Sequence, residues 1–121
     1  MLLTNCIISF IFVQKKNSMG LLDLLGLNKK KNMKIEEFVK RGATIIDVRS
    51  PGEYQSGHVK GSKNIPLNEI NGAISSLKKT NKPIITCCAS GMRSGSAASV
   101  LSQHNIEVVN GGSWTSVNAL V

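Results

Sequence analysis

Lys82–Ser99 reads KPIITCCASGMRSGSAAS, and the order of its parts decides the fold. KPIITCC is a short apolar run of the length and composition of a buried strand. SGSAASVLSQHN, from Ser94 on, reads as a helix of small residues, and the few residues between form a tight loop. The rest of the chain repeats this alternation. MKIEEFVKRG places Ile35, Phe38 and Val39 at helical spacing, with Gly42 positioned to stop the helix. ATIIDVR is a β-branched run and reads as another buried strand. SPGEYQSGHVKGS is rich in turn formers, with Ser50 placed as an N-cap and Pro51 at the first helical position. KNIPL reads as a short strand ending at Pro66, LNEINGAISSLKK as a helix, IEVVNGG as a third buried strand and SWTSVNALV as a closing helix. Apolar strands alternating with helices predict an α/β fold with a small, mostly parallel central sheet flanked by helices.

The chain has 121 residues, enough for one domain with a core of its own. Residues 33–121 form that expected domain, and residues 1–32 an N-terminal extension. In MLLTNCIISFIFVQKKNS the apolar stretch ends at Val13, short of the about 20 residues a membrane span needs. It also lacks the basic start and small-residue cleavage site of a clear leader. The sequence leaves open whether Met19 is the natural start or residues 1–18 are an export leader; membrane contact is expected only if residues 1–18 are retained. MGLLDLLGLNKKKN reads as a flexible lead-in or a frayed amphipathic helix, with Lys29–Lys31 solvated. The three cysteines are too few for a disulfide framework. Reduced thiols, and hence a cytoplasmic protein, are expected, with export as the alternative.

The formal charge of +8 divides equally between residues 1–32 and 33–121. A basic surface attracts anions. With one Trp, one Tyr and three Phe, and no basic stretch interleaved with aromatics, nucleic acid is not an expected partner. Small sulfur or phosphorus anions are.

In α/β folds ligands gather at the carboxyl ends of the strands, where Cys87 and Cys88 stand. Gly91 permits a turn that other residues resist, so the loop can aim several N–H groups at one point. The following helix adds unpaired N–H groups and its positive end. A cysteine there has a stabilised thiolate and a lowered pKa, and Arg93 adds a permanent positive charge. Two registers fit. From Cys87 the spacing is Cys-x5-Arg-Ser, a wider loop of the phosphatase kind that suits a tetrahedral phosphate. From Cys88 it is Cys-x4-Arg-Ser, tighter and better matched to one added sulfur. Strand alternation puts the two thiols on opposite sides, so only one faces the loop.

IDVRSPGEYQSGHVKGSKNIPL, CASGMRSGSAASVL and VVNGGSW, in this order within Met33–Val121, closely resemble the rhodanese (sulfurtransferase) family. The resemblance matches CASGMRS to a Cys-x-x-Gly-x-Arg-Ser active loop, which makes Cys88 the reactive cysteine and Cys87 the last strand residue. Thr86 stands where a phosphatase usually carries histidine. The resemblance implies that Cys88 takes a sulfane sulfur from a donor such as thiosulfate, a polysulfide or a persulfide. It then passes that sulfur to cyanide or a thiol, a protein thiol among the candidates, in two covalent half-reactions. It implies no metal and no organic cofactor. Backbone N–H groups of Ala89, Ser90, Gly91, Met92, Arg93 and Ser94 are expected to hold the outer sulfur, and Arg93 to orient an anionic donor. The loop departs from many thiosulfate-using relatives in that Ala89, Ser90 and Met92 are uncharged, which favours a persulfide or polysulfide donor. The alternatives are a sulfur-carrier or binding module for a partner protein, and a Cys-based phosphatase or arsenate reductase using Cys87.

Asp47 and Arg49 follow a buried strand, where charges need partners. They are expected to anchor loops and support the pocket, with Glu53 as the mate of Arg49. His58 and His104 read as structural and solvent-facing, and Trp114 as packing the closing helix onto the sheet. No two histidines or cysteines stand at metal-ligand spacing, and Cys6 has no context that gives it a role.

Overall fold

The short β-branched runs become strands of one parallel sheet in the computed structural model, which describes residues 29–121. Residues 1–28, with Cys6 and the alternatives for Met19 and residues 1–18, lie outside the described residues. The strands are β1 (Thr44–Asp47), β2 (Lys63–Asn64), β3 (Ile84–Cys88) and β4 (Val108–Ser113), in the spatial order β2-β1-β3-β4. Every pairing is parallel. Helices fill the connections: α1 over residues 29–40, α2 (Pro51–Gln55), α3 (Ile70–Thr80), α4 (Met92–Gln103) and α5 (Trp114–Asn118). The α/β architecture expected from the alternation is the one observed.

Local chemistry sets most boundaries. α1 ends at Gly42, whose φ of +81° is the left-handed conformation glycine tolerates after a helix. The helix already occupies residues 29–32, which the sequence assigns to a lead-in; three of these are lysines, good helix formers that stay exposed. Ser50 and Glu53 cap α2 reciprocally, with Pro51 in the first turn. The KNIPL strand shrinks to Lys63–Asn64, because Pro66 has no N–H to give a ladder. The chain turns there through a 3-10 segment, Leu67–Glu69, before α3 begins.

The pleat divides the core into two layers. On one face Ile46, Val48, Ile84 and Cys88 pack with Ile70 and Leu77 of α3 and Ala97 and Leu101 of α4. On the other, Ile85 and Cys87 pack with Ile35 and Phe38 of α1 and Val117 of α5. The register of β3 against β4 shifts: Thr86 pairs with Asn110, but Cys88 pairs with Ser113. β4 thus holds one extra residue beside the end of β3, a bulge at Gly111–Gly112. Gly112 has φ +85°. A Cβ on Gly111 would lie 2.8 Å from the Thr86 carbonyl oxygen and 2.5 Å from Val117 Cγ2, so only glycine lets β3, β4 and α5 meet this closely.

Candidate active site

β3 ends on Cys87 and Cys88, and neither residue has exposed surface. Beyond them Ala89 and Ser90 are exposed, and the chain reverses at Gly91 with φ +105°. A Cβ at Gly91 would meet the Gly112 Cα at 3.3 Å, so the loop is pressed against the β4 bulge. The reversal aims backbone donors at one atom. The Gly91 N–H donates to Cys88 Sγ at 3.0 Å and the Ser94 N–H at 3.4 Å. The Ser94 hydroxyl lies 3.4 Å from the same sulfur. Gly91 gives α4 no side-chain cap; the sulfur takes that place, accepting an amide of the first turn, where the helix end favours negative charge.

These contacts tune the two thiols in opposite directions. Burial pushes the Cys88 thiol up, but its hydrogen bond with the Ser94 hydroxyl and those from the Ser94, Gly91 and Ser90 amides outweigh it and bring the pKa below the ordinary cysteine value. Cys87 lies on the opposite face among Ile35, Phe38, Val59 and Val117. Burial, then the Asp47 charge, pushes it up to about 12. The wider register that begins at Cys87 therefore has its thiol pointing away from the loop.

Arg93, in the first turn of α4, is half-buried and within electrostatic reach of Cys88. Its guanidinium is held by Glu53, Nη1 to Oε1 at 2.8 Å and Nη2 to Oε2 at 3.0 Å. Arg93, then the Ser50 amide, holds the Glu53 carboxyl down at about 2. Glu53 is thus the partner of Arg93, not of Arg49 as the sequence suggests. Arg49 pairs with Asp47 instead, two residues away at the end of β1, with Nη2–Oδ2 at 2.7 Å. Arg49 also donates to the Gly57 carbonyl at 2.7 Å and lies 5.0 Å from the Trp114 ring centroid. The Asp47–Arg49 pair faces Cys87 and braces the loop after α2 against α5, with no hydrogen bond to Cys88 among the described residues.

Of the loop residues, the structure brings Ser90, Gly91 and Ser94 to the sulfur. Met92 is 81% exposed, and Ala89 also faces outward. A groove of about 530 Å³ runs beside Arg93, lined by Val48, Pro51, Pro66, Leu67 and Glu69. His58 is exposed, with its ring stacked on Tyr54 at 3.8 Å; His104 is exposed at the end of α4. One residue at the site escapes sequence reading altogether: Asn110 of β4, whose Oδ1 accepts from the Ser94 hydroxyl at 2.7 Å. Nothing local in VVNGGSW singles it out, since its position follows from the register of β4 on β3.

Residues 28–117 match the model of the rhodanese-like domain family. The chain is 41% identical over 61 residues to the uncharacterized protein YqhL of Bacillus subtilis, covering 50% of this chain and 48% of that protein. It is 41% identical over 59 residues to the thiosulfate sulfurtransferase PspE of Escherichia coli, covering 48% of this chain and 57% of that protein. The alignments thus span about half the length of these two relatives. A thiosulfate sulfurtransferase GlpE of Pseudoalteromonas translucida is 38% identical over 76 residues, covering 62% of this chain and 70% of that protein. Among solved structures, a rhodanese with anions from E. coli is 36% identical with a TM-score of 0.56, covering 61% of this chain and 89% of that one. A rhodanese-related protein of Thermoplasma volcanium is 30% identical with a TM-score of 0.61, covering 73% and 86%.

Proposed function

Since the chain belongs to the rhodanese-like domain family, we propose that it is a sulfurtransferase working through a persulfide on Cys88. The observation that carries this reading is the convergence of the Gly91 and Ser94 amides on Cys88 Sγ, at 3.0 and 3.4 Å. A thiol kept partly ionised is a nucleophile. In the first half-reaction the Cys88 thiolate attacks the sulfane sulfur of the donor. A Cys88 S–S bond forms, the donor's S–S bond breaks, and the leaving sulfite or thiolate departs with the electron pair. In the second, an acceptor thiolate or cyanide attacks the outer sulfur, and the Cys88 thiolate is released as the leaving group. Hydrogen bonds that favour the thiolate serve both steps, once for the nucleophile and once for the leaving group. Because Cys88 has no exposed surface, the donor must displace part of the loop. The small residues Ala89, Ser90 and Gly91 oppose that movement little.

The favoured donor is an organic persulfide or polysulfide rather than thiosulfate. Arg93 is the cation beside the sulfur, and Glu53 already occupies it in two-point contact. The groove next to it offers Val48, Pro51, Pro66 and Leu67, apolar surface that suits the body of a low-molecular-weight or protein persulfide. A thiol acceptor can use the same surface.

Intact mass after incubation with glutathione persulfide tests the reading. The wild type and Cys87→Ser gain the mass of one sulfur atom, and Cys88→Ser gains none. Sulfur loaded onto Cys88→Ser, or none on the wild type, overturns the proposal. A donor panel in which thiosulfate far outperforms glutathione persulfide overturns the donor preference alone.

A further inference from the structure

On the reading that Cys88 is the reacting thiol, we propose that Asn110 is a positioning residue that holds the Ser94 hydroxyl proton while Cys88 is a thiol or persulfide, and yields it to the sulfur when Cys88 is a thiolate.

The geometry is a short chain of polar atoms. Cys88 Sγ lies 3.4 Å from Ser94 Oγ, with the thiol as donor. Ser94 Oγ in turn donates to Asn110 Oδ1 at 2.7 Å. A hydroxyl has one proton, so it cannot serve Asn110 and a thiolate together. Asn110 is built to lose it cheaply. Its Oδ1 also accepts from the Gly112 N–H at 2.9 Å and stays satisfied when the hydroxyl turns away. Its Nδ2 donates to the Gly91 carbonyl at 3.2 Å, which settles the amide orientation: with Oδ1 and Nδ2 exchanged, the N–H of Gly112 would face an NH₂ and the Gly91 carbonyl an oxygen. The remaining freedom is confined to the hydroxyl. The Ser94 backbone is fixed, its N–H on Cys88 and its carbonyl accepting from the Thr86 hydroxyl at 2.9 Å. The neighbouring Gly95 leaves room for the amide, since a Cβ there would come within 3.2 Å of Asn110 Nδ2.

In the sulfur-transfer cycle, the charge sits on Sγ in the free thiolate and moves to the outer sulfur in the persulfide. The Ser94 proton follows, on Sγ in the first state and on Asn110 in the second. It returns to Sγ as Cys88 leaves in the second half-reaction. The other groups facing this sulfur are few. Arg93 of α4 lies close but is paired with Glu53 of α2. The Cys87 thiol adjoins on β3, itself beside Asp47 and Arg49 of the β1 end. Glu69, on the 3-10 segment, lines the groove on the same side. β4 and α5 carry no titratable side chain.

The test reads alkylation of Cys88 by iodoacetamide against pH, in a Cys87→Ser background, and needs no sulfur donor. Four proteins form a cycle: parent, Asn110→Ala, Ser94→Ala and the double variant. With Ser94 present, loss of Asn110 frees the hydroxyl for the sulfur, so alkylation below the thiol pKa speeds up. With Ser94→Ala that gain vanishes, leaving only the loss of the bond to Gly91. The expected coupling is about fivefold in rate, the worth of one hydrogen bond. Asn110→Asp also loses the Nδ2 bond but strengthens the acceptor, so alkylation slows; this variant keeps the side-chain shape and covers the case of a misfolded Asn110→Ala. Equal effects of Asn110→Ala with and without Ser94, or an Asn110→Asp profile no slower than the parent, overturn the proposal. Failure of the parent to take up sulfur would sink the sulfurtransferase reading and leave this cycle standing.

Discussion

Replacing Arg49 by methionine removes the partner of a carboxylate with no exposed side-chain surface. Asp47 is 0% and Arg49 5% exposed at the side chain. Arg49 Nε reaches Asp47 Oδ1 at 2.9 Å and Oδ2 at 3.0 Å, and Nη2 reaches Oδ2 at 2.7 Å. In Arg49→Met these bonds go, together with the one to the Gly57 carbonyl, and only the backbone N–H of residue 49 stays on Oδ1 at 3.0 Å. Breaking a buried pair by removing one member costs about 3–5 kcal/mol. A domain of this size has roughly 5–15 kcal/mol in total, so the variant is expected to lose about a fifth of its stability or more. Asp47→Asn combined with Arg49→Met removes the uncompensated charge, and is expected to recover about 2 kcal/mol relative to the sum of the single changes. Urea unfolding followed by far-UV circular dichroism measures this. The single tryptophan, Trp114, serves as a second probe because the guanidinium lies on its ring. An Arg49→Met cost under about 1 kcal/mol, or strict additivity in the double variant, would refute the argument. The same samples decide whether the pair supports the pocket. Since it faces Cys87, the pH profile of Cys88 alkylation is expected to stay put; a shift in a folded variant would make the pair part of the site.

Of the two neighbouring thiols, alkylation is expected to single out Cys88: below pH 9 it reacts, and Cys87 does not, in the parent or in Cys88→Ser, because burial holds Cys87 up at about 12; peptide mapping reads the result. Glu53→Gln preserves the reciprocal cap on Ser50 but releases Arg93, so KM for thiosulfate is expected to fall while KM for an organic persulfide changes little. The same variant tests acid stability. The Glu53 pKa is depressed, so its contribution is complete above the ordinary carboxylate value near 4.5 and is lost as pH falls toward about 2. In Glu53→Gln, unfolding monitored across that window should lose this part of its pH dependence. Gly111→Ala drives a Cβ into the Thr86 carbonyl and Val117, and is expected to destabilise by about 1–3 kcal/mol or more, seen as a lower urea midpoint.

Much of the fold is legible in the chain because its causes are local. β-branched runs such as ATIIDVR and KPIITCC need only their own side chains to become strands, and Ser50, Pro51 and Gly42 mark helix ends by what they can or cannot bond. The period-2 pleat of β3 alone separates Cys87 from Cys88, and the small residues after Cys88 announce a loop that curls onto one atom. What the chain by itself does not reveal lies where partners are far apart in sequence. Glu53 reads as the mate of nearby Arg49; the packing of α2 against the start of α4 gives it Arg93 instead, 40 residues away. Asn110 reaches Ser94 because β4 pairs with β3 in a register that sets Asn110 opposite Thr86, just before the bulge. Periodicity and capping are properties of neighbouring residues, whereas the register between two strands exists only once both are paired.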